Sequence, residues 1–309
     1  MSIFVILEGR SWIWANTDGD QMFLESGILG DMMLDLEEWT VMEIKEWLEQ
    51  RSYLQPEEIA ALQADPRVSV QKLVISLQRR QADQKKALMH GRRLYRFRRV
   101  LYNRGYENIA GIDEVGRGPL AGPVVAAAVI FPPGIGPLGL DDSKRLTVSQ
   151  RNHLYGEIQR RALAVGIGAA EPQEIDALNI HRATLLAMKR AIMALSPLPD
   201  FCLVDGLFTI PQLHVAQRAI TDGDGRCDAV AAASIIAKVT RDRLMIELDS
   251  QYPVYGFAEH KGYPTAKHLE ALTKHGPCPS HRYSYVPVRL AGQQSIAWIR
   301  GEHNEDRTG

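Results

Sequence analysis

The stretch that decides the fold of this chain, residues 112–123, reads Ile-Asp-Glu-Val-Gly-Arg-Gly-Pro-Leu-Ala-Gly-Pro. Two adjacent carboxylates, Asp113 and Glu114, stand at the end of an apolar run, and a Gly-Arg-Gly corner follows them. Buried carboxylates are unfavourable unless they are paired or bind a metal. Glycine also allows a polyanion to approach the backbone closely. The stretch therefore indicates a metal-dependent enzyme that acts on nucleic acid.

Composition and charge narrow the class of protein. The chain has 309 residues, of which 45% are hydrophobic and 24% charged, as in ordinary globular proteins. The net charge of −1 excludes a uniformly basic molecule, but the charge is uneven. Residues 1–50 contain eleven Asp and Glu against two basic residues, whereas residues 76–105 contain ten Lys and Arg against Asp83 alone. This asymmetry indicates either contact with nucleic acid or docking of one segment on the other.

Cysteine usage and hydropathy predict a cytoplasmic protein that does not span a membrane. The three cysteines form no Cys-x-x-Cys pair, which favours a reducing compartment, and no signal peptide is recognisable. Residues 119–140 carry no charge, but the five prolines among them are incompatible with a transmembrane helix. A buried strand followed by a turn-rich loop explains this run better.

The pattern along the chain predicts four segments. Residues 1–37 are an unassigned acidic leader, which could be a small hairpin, a poorly ordered segment or sequence upstream of the true start. Residues 38–104 form a helical N-terminal extension that ends in a basic helix over 69–104. Residues 105–290 form the main domain, and residues 291–309 a polar, frayed C-terminal tail.

The basic helix has two interpretations. Its charges lie on a solvated face or dock on the acidic N-terminal segment, or else they provide an auxiliary surface for phosphates. A truncation that starts at Arg104 is expected to distinguish them, because removing a structural helix leaves nucleic-acid affinity and its salt dependence unchanged.

From residue 106 onward, strand and helix patterns follow one another, which predicts an α/β fold with a mixed sheet flanked by helices. The small, mainly helical N-terminal region precedes this domain. The predicted strands cover 108–113, 123–131, 163–170, 201–205 and 214–220, and the predicted helices cover 149–161, 172–195, 227–248 and 264–274.

Two further acids join Asp113 and Glu114 at predicted strand ends. Asp205 follows an apolar run, and Asp224 lies in an Asp-Gly-Asp-Gly segment between a strand and a helix. Four carboxylates at one sheet edge would suit two hard cations. However, neighbours on a regular strand point to opposite faces, so Asp113 and Glu114 share a site only if the strand ends or bends there. Asp-Gly pairs are also common in simple turns, which leaves Asp205 and Asp224 open at this point.

Two other kinds of site fit the sequence poorly. The Gly116-Arg-Gly118 corner lacks the spacing of a dinucleotide-binding loop, and acids precede it where phosphate would need amides. His260, His275 and His281 lack the paired spacing of a zinc site.

The motifs of residues 108–290, taken in order, resemble those of bacterial ribonuclease HII, the type-two ribonuclease H. The resemblance implies an RNase H-like fold and hydrolysis of RNA in RNA–DNA hybrids. It also implies cleavage 5′ to a ribonucleotide embedded in duplex DNA, which leaves 3′-hydroxyl and 5′-phosphate ends. Residues 39–86 resemble an extension that some bacterial members carry. The matching motifs are 111–123, the Asp-Ser-Lys of 142–144, 204–206, 232–242, 255–265 and 281–284.

The same resemblance assigns the metal-binding acids. Asp113, Glu114 and Asp205 are implied as ligands of catalytic Mg²⁺ or Mn²⁺. Counting back along the motif places the fourth acid on Asp224, with Asp222 as a nearby alternative. The segment around these two aspartates carries more acids than the family pattern.

The resemblance also implies substrate contacts and a monomer that acts on hybrids and on ribonucleotide-containing duplex DNA. Gly116, Arg117 and Gly118 would bring backbone groups to the ribose 2′-hydroxyl, the group that distinguishes RNA from DNA. Tyr263 would stack on or bond to the sugar at the RNA–DNA junction, and Lys144 would contact a phosphate.

Three residues of the predicted helix 227–248 complete the expected interface. Ser234, Lys238 and Arg241 fall at i, i+4 and i+7 and so share one helix face. Such a face suits contacts with the DNA backbone, although a plain solvated face is the alternative.

Two other functions stay open at this point. A junction resolvase of the same fold would also cut all-DNA substrates. A non-catalytic hybrid-binding protein, with the basic helix as its functional part, would bind tightly without metal and without cleavage. No partner of the N-terminal region is predicted.

Overall fold

The structure is a computed structural model that describes residues 38–51, 54–134, 136–137, 139–141 and 143–299. The chain divides into two compact units, Met1–Lys85 and Lys86–Gly309. The predicted acidic leader and the last ten residues lie outside the described part of the chain. The second unit therefore begins at Lys86, inside the segment 38–104 that the sequence predicts as one extension.

The first unit contains helix α1 (Val41–Glu49), helix α2 (Pro56–Ala64) and the beginning of α3 (Val68–Tyr102). A capping box between Thr40 and Glu43 starts α1, because each side chain satisfies a free backbone N–H of the other. The apolar cluster of the first unit is made by residues of these three helices and of the segment between α1 and α2. The buried members are Ile44, Leu48, Leu54, Leu62, Val70, Val74 and Leu77.

The second unit is built on a five-stranded mixed sheet of order β3-β2-β1-β4-β5. Strand β1 pairs with β2 antiparallel and with β4 parallel, β2 pairs with β3 antiparallel, and β4 pairs with β5 parallel. This arrangement confirms the predicted mixed α/β sheet. The strands are β1 (Ile109–Val115), β2 (Val124–Ile130), β3 (Ala164–Ala170), β4 (Phe201–Asp205) and β5 (Ala216–Ile220).

Helices cover both faces of this sheet. One face carries α7, with α4 and the C-terminal part of α3 beside it, and the other carries α5 and α6. In the described part of the chain, three more helices follow α7. The helices of the second unit are α4 (Val148–Arg161), α5 (Pro172–Leu178), α6 (Ile180–Met193), α7 (Asp228–Gln251), α8 (Phe257–His260), α9 (Ala266–His275) and α10 (Val286–Ile299).

Small residues allow α7 to lie directly on the central strand. A Cβ atom added to Gly111 would lie 2.2 Å from the carbonyl carbon of Ala229, which is far inside van der Waals contact. The facing turns of α7 are rich in alanine, and residues 229–237 are all buried. This close approach brings the start of α7 beside the ends of β1 and β4.

Two predicted elements are wrong in extent. The predicted helix 172–195 is two helices, because Asn179 has φ 72° and its side chain accepts from the backbone of His181 and Arg182 to start α6. The C-terminal tail predicted from residue 291 is instead helical to Ile299, since Val288 and Ala291 are buried against Leu120 and Leu272.

Candidate active site

Three carboxylates meet where the two central strands end. Asp113 and Glu114 lie on β1 and Asp205 is the last residue of β4, and one ligand oxygen from each lies within 4.8 Å of the others. The Asp113 side chain is buried, and the other two are half-buried. The structure thus brings together three of the four predicted acids.

The strand register explains how adjacent residues share this site. Parallel pairing of β1 with β4 ends at Ile112–Val204, whereas β1 remains paired with β2 as far as Val115. The strand therefore continues through Glu114. The alternative that it ends at these two residues is wrong. Asp205, the last residue of β4, follows the final β1–β4 pair, and one ligand oxygen from each of Asp113 and Glu114 lies within 4.8 Å of an oxygen of Asp205.

The electrostatics of the cluster suit a divalent cation. Burial, followed by the negative charges of Glu114 and Asp205, raises the pKa of Asp113 well above its usual range. Burial also raises the pKa of Asp205, although the Gly223 N–H donates to Asp205 Oδ1 at 2.7 Å and opposes the shift. Carboxylates that repel one another and resist full ionisation are stabilised by a hard divalent cation, because such a cation prefers oxygen ligands. The donor set therefore fits Mg²⁺ or Mn²⁺.

The fourth predicted acid is not a member of this close group. A short 3₁₀ turn, Gly223–Gly225, holds Asp224 half-buried, and its Oδ1 accepts from the Gly225 N–H at 2.9 Å. Asp222 is exposed and has a left-handed φ of 52°. Burial favours Asp224 over Asp222, and its assignment as a ligand stays a prediction.

Buried arginines shape the Gly-Arg-Gly corner. Gly116 has φ +92°, and a Cβ there would lie 2.2 Å from Nε of Arg241, so that only glycine fits. Arg282 donates to the Gly116 carbonyl at 2.6 Å and to the Arg117 carbonyl at 3.0 Å. Arg282 belongs to the 281–284 motif, but its role in fixing this corner could not be predicted from the sequence, since a buried arginine that binds carbonyls has no distinctive spacing. Gly118 lies next, and a Cβ there would be 3.6 Å from the Tyr263 ring.

Tyr263 lies beside this corner, and a chain of histidines fixes its backbone. The Tyr263 side chain is 39% exposed. His268 Nδ1 donates to the Tyr263 carbonyl at 2.9 Å, His281 Nε2 lies 3.1 Å from His268 Nε2, and His281 Nδ1 accepts from the Cys278 N–H at 3.0 Å. These partners assign one proton to each ring, so both histidines are neutral.

The histidines do not form a metal site. His260 Nε2 donates to the Tyr255 carbonyl at 2.7 Å, and its other ring nitrogen accepts from the Gly262 N–H at 3.2 Å. Within the described ranges, the acid cluster is the group whose ligand atoms are close enough to share an ion.

The predicted helix-face contacts are corrected in part. Arg241 is fully buried and donates to the carbonyls of Pro123, Lys261 and Ala121, so it holds loops together and cannot reach DNA. Burial lowers its pKa to about 10.

Ser234 also lies inside the protein. Its hydroxyl lies 2.9 Å from that of Ser143 and bonds to Asp113, so it orients this carboxylate rather than a phosphate. Lys238 is half-buried and pairs with Asp242 at 2.7 Å. Lys144 is exposed, and Asp142 of the same motif lies outside the described residues.

A mixed sheet that presents clustered carboxylates at the ends of two neighbouring strands, beside a glycine corner, suits a metal-dependent nuclease. A family model described as Ribonuclease HII matches residues 110–288, and a second, described as Ribonuclease HII N-terminal domain, matches residues 40–102. The chain belongs to the ribonuclease HII family.

Individual relatives agree with this assignment. A curated Ribonuclease HII of Geobacillus thermodenitrificans is 48% identical over 261 residues, which cover 84% of this chain and 100% of that protein. A Ribonuclease HII of Geobacter sulfurreducens is 57% identical over 186 residues, which cover 60% of this chain and 85% of that protein. The crystal structure of the ribonuclease H2 from Pyrococcus horikoshii OT3 matches with a TM-score of 0.52 at 26% identity, over 60% of this chain and 98% of that one.

These findings confirm the predicted family, the RNase H-like fold and the enzyme class. The protein is a ribonuclease H, of a divalent-metal-dependent family that cleaves the RNA of RNA–DNA hybrids. Across the described residues, no helix combines the length and the apolar character needed to cross a membrane.

Proposed function

We propose that this enzyme cuts duplex DNA on the 5′ side of an embedded ribonucleotide, as well as the RNA strand of longer hybrids, and leaves 3′-hydroxyl and 5′-phosphate ends. The observation that carries the proposal is the acid cluster of Asp113, Glu114 and Asp205 beside the Gly-Arg-Gly corner. The acid cluster would supply the metal ligands, and the Gly-Arg-Gly corner would recognise the ribose.

The acids would hold two Mg²⁺ or Mn²⁺ ions, which when bound activate the attacking water and stabilise the leaving oxygen. Asp113, Glu114 and Asp205 would supply ligands. Asp224 would complete the set from the Gly223–Gly225 turn, which also hydrogen-bonds Asp205. The Gly223 N–H fixes the Asp205 carboxylate, and the Ser234 hydroxyl fixes that of Asp113. Positioned ligands of this kind avoid reorganisation during the reaction.

Ribose recognition falls to the corner and its neighbour. Gly116, Arg117 and Gly118 would present backbone groups, and Arg282 fixes the carbonyls of Gly116 and Arg117 so that the loop is preorganised. A site that hydrogen-bonds a hydroxyl discriminates strongly against a ligand that lacks it, since its own polar groups are then left without partners. The Tyr263 ring, next to Gly118, would contact the sugar at the junction.

Phosphate contacts position the duplex without reading its sequence. Lys144 is exposed, and the half-buried Lys238 lies on α7 one turn beyond Ser234. These two lysines would contact the strand on either side of the cut.

The test is a labelled DNA duplex with one ribonucleotide, incubated with Mg²⁺ or Mn²⁺ beside an all-DNA control. We expect one cut 5′ to the ribonucleotide, abolished by EDTA. Asp224→Asn should lose most activity, whereas Asp222→Asn, a matched change two residues away, should retain it.

Equal cutting of the all-DNA duplex would replace the proposal with a resolvase activity. Tight binding without cleavage by either metal would favour a hybrid-binding protein instead.

A further inference from the structure

A second charged feature lies on the same sheet face as the acids. The second unit contains a cavity of about 550 Å³ between the C-terminal part of α3, the edge strand β5 and the turn that follows Asp224. This volume is in the range of small-ligand sites. Its lining residues are Arg93, Arg96, Phe97, Val100, Leu101, Arg104, Leu203, Arg218, Gly225 and Arg226.

The charge of this cavity is one-sided. Five arginines line it and no acid does. In the part of the chain that the structure describes, none of the five forms an ion pair with a carboxylate, whereas Arg98 of the same helix pairs with Asp228. Like charges gathered in one concave site repel one another unless an anion is bound, and such sites concentrate anionic ligands. The chemistry of the lining therefore selects a ligand with phosphate groups.

The aromatic part of the lining also favours a planar group. The Phe97 ring lies in the lining, with the guanidinium carbons of Arg218 and Arg226 at 5.8 and 5.6 Å from its centroid. Val100 also lines the cavity and is 44% exposed, so the arginines surround an accessible apolar surface. Aromatic rings and guanidinium planes provide stacking surfaces for nucleobases, with a contribution of about 1–3 kcal/mol per base.

The position of the cavity links it to the cleavage site. Leu203, in its lining, lies two residues before Asp205 on β4, which is about 7 Å along a strand and on the same face. Gly225 and Arg226 come directly after Asp224. A strand that leaves the acid cluster along this turn would enter the cavity.

We infer that this arginine cavity binds a nucleotide unit, with its phosphate on the arginines and its base on Phe97. The inference rests on the proposed function, because the nucleotide would belong to an unpaired segment of the substrate. A free mononucleotide has the same chemistry and is the other source. The cavity would thereby favour substrates in which a single-stranded tail lies beside the cleaved duplex.

The experiment compares a blunt duplex, two tailed duplexes and one free nucleotide, all with the full-length protein. Affinity is measured in Ca²⁺, without turnover, for a blunt single-ribonucleotide duplex and for the same duplex with a single-stranded tail on either side. Binding of AMP is measured separately by calorimetry. The variants are the double variant Arg96→Ala/Arg104→Ala and the single variant Phe97→Leu, and Arg99→Ala is the matched control because it is an exposed arginine of the same helix outside the cavity.

For the wild-type protein, one tailed duplex should bind about tenfold more tightly than the blunt duplex. The double variant should lose this advantage, and its salt slope should fall by about 0.7 for each lost phosphate contact. Arg99→Ala should retain the advantage, and all variants should cleave the blunt duplex at the wild-type rate. Saturable AMP binding that the double variant loses, without a tail effect, would assign the same site to free nucleotides.

Equal affinity for tailed and blunt duplexes, together with no AMP binding, would overturn the inference. This outcome is distinct from failure of the proposed function, which would appear as no cleavage of the blunt duplex by the wild-type protein. Melting temperatures close to wild type would exclude unfolding as the cause of a lost tail effect.

Discussion

Buried carboxylates occur in two regions on the α7 side of the sheet, and their surroundings differ. Asp228, at the start of α7, is 1% exposed and accepts from Arg98 Nε at 2.8 Å and Nη2 at 2.7 Å. Asp113, at the end of β1, is 5% exposed and faces two further carboxylates. Among the described residues, the ion pair of this second group joins the exposed Arg117 to the half-buried Glu114.

The difference separates a structural role from a catalytic one. In the Arg98–Asp228 pair each charge neutralises the other. Arg98 also donates to the carbonyls of Phe131, Pro132 and Gly134, so the pair links α3 to α7 and to this loop. The acid cluster concentrates negative charge that the protein does not neutralise internally. Removing a partner from the first region should therefore reduce stability, and removing an acid from the second should reduce activity.

The strongest test of this contrast is Asp113→Asn. Hydrolysis should fall at least about 1000-fold, because one metal ligand is lost and the groups of such a site act as a unit. The metal-free melting temperature should stay the same or rise, because a buried negative charge is removed from beside two others. Cleavage assays and thermal melts with EDTA check both halves, and a lower melting temperature with normal activity would reverse the assignment.

The opposite pattern is expected for Arg98→Leu. The variant leaves the Asp228 charge buried without its partner, which should lower the free energy of unfolding by about 3–5 kcal/mol. Protein that remains folded at low temperature should still cleave the single-ribonucleotide duplex. Urea unfolding measures the change, and Arg99→Leu, an exposed neighbour, is the control and should change stability by less than about 0.5 kcal/mol.

The double variant Arg98→Met/Asp228→Leu sharpens the same point. It removes both charges and should recover much of the lost stability, because apolar pairs often replace buried ion pairs without loss. If the double variant is as unstable as the single one, packing around Arg98, and not charge balance, holds this region together.

A third buried group, the neutral His281, should make the free energy of unfolding depend on pH, with an effect smaller than that of Arg98→Leu. Burial, with the neighbouring His268, lowers the pKa of His281 to about 4 from an ordinary value near 6.5. The unfolded chain therefore binds a proton that the folded protein excludes, so stability is complete above about pH 6.5 and falls by on the order of 2–3 kcal/mol as the pH drops toward 4.

Urea unfolding of wild type and His281→Asn between pH 4 and 7 measures this contribution. The variant should show a shallower decline, whereas His153→Gln, which changes an exposed histidine, should match the wild type. Parallel curves for His281→Asn and wild type would remove His281 as the cause.

The smallest effect is expected at Lys238, whose charge Asp242 partly balances already. Lys238→Gln should weaken hybrid binding less than about tenfold and reduce the salt slope by about one. Lys267→Gln changes a lysine that pairs with Glu259 on the surface and serves as the control. Fluorescence anisotropy at several salt concentrations distinguishes the two.

The basic helix shows how far periodicity can mislead. Both interpretations of its charge run, a solvated or docked face and a surface for phosphates, treated the arginines as one group, yet Arg98 is fully buried, Arg93 and Arg96 line the cavity, and Arg99 is exposed. A truncation at Arg104 would remove Arg98 and leave Asp228 without its partner, so it cannot test phosphate binding alone. A start at Lys86, where the second compact unit begins, avoids this defect.

The sequence by itself determined the strand pattern, the family motifs and the acids Asp113, Glu114 and Asp205, because apolar runs that end in carboxylates are local signals. Only the tertiary structure decided that Arg241 and Ser234 lie inside, that Arg282 fixes the glycine corner, and that α10 extends to Ile299. Each of these outcomes depends on partners more than 35 residues away in the chain or on packing between elements. Local periodicity predicts which residues are apolar, but the burial of a polar side chain depends on whether the fold supplies its hydrogen-bond partners.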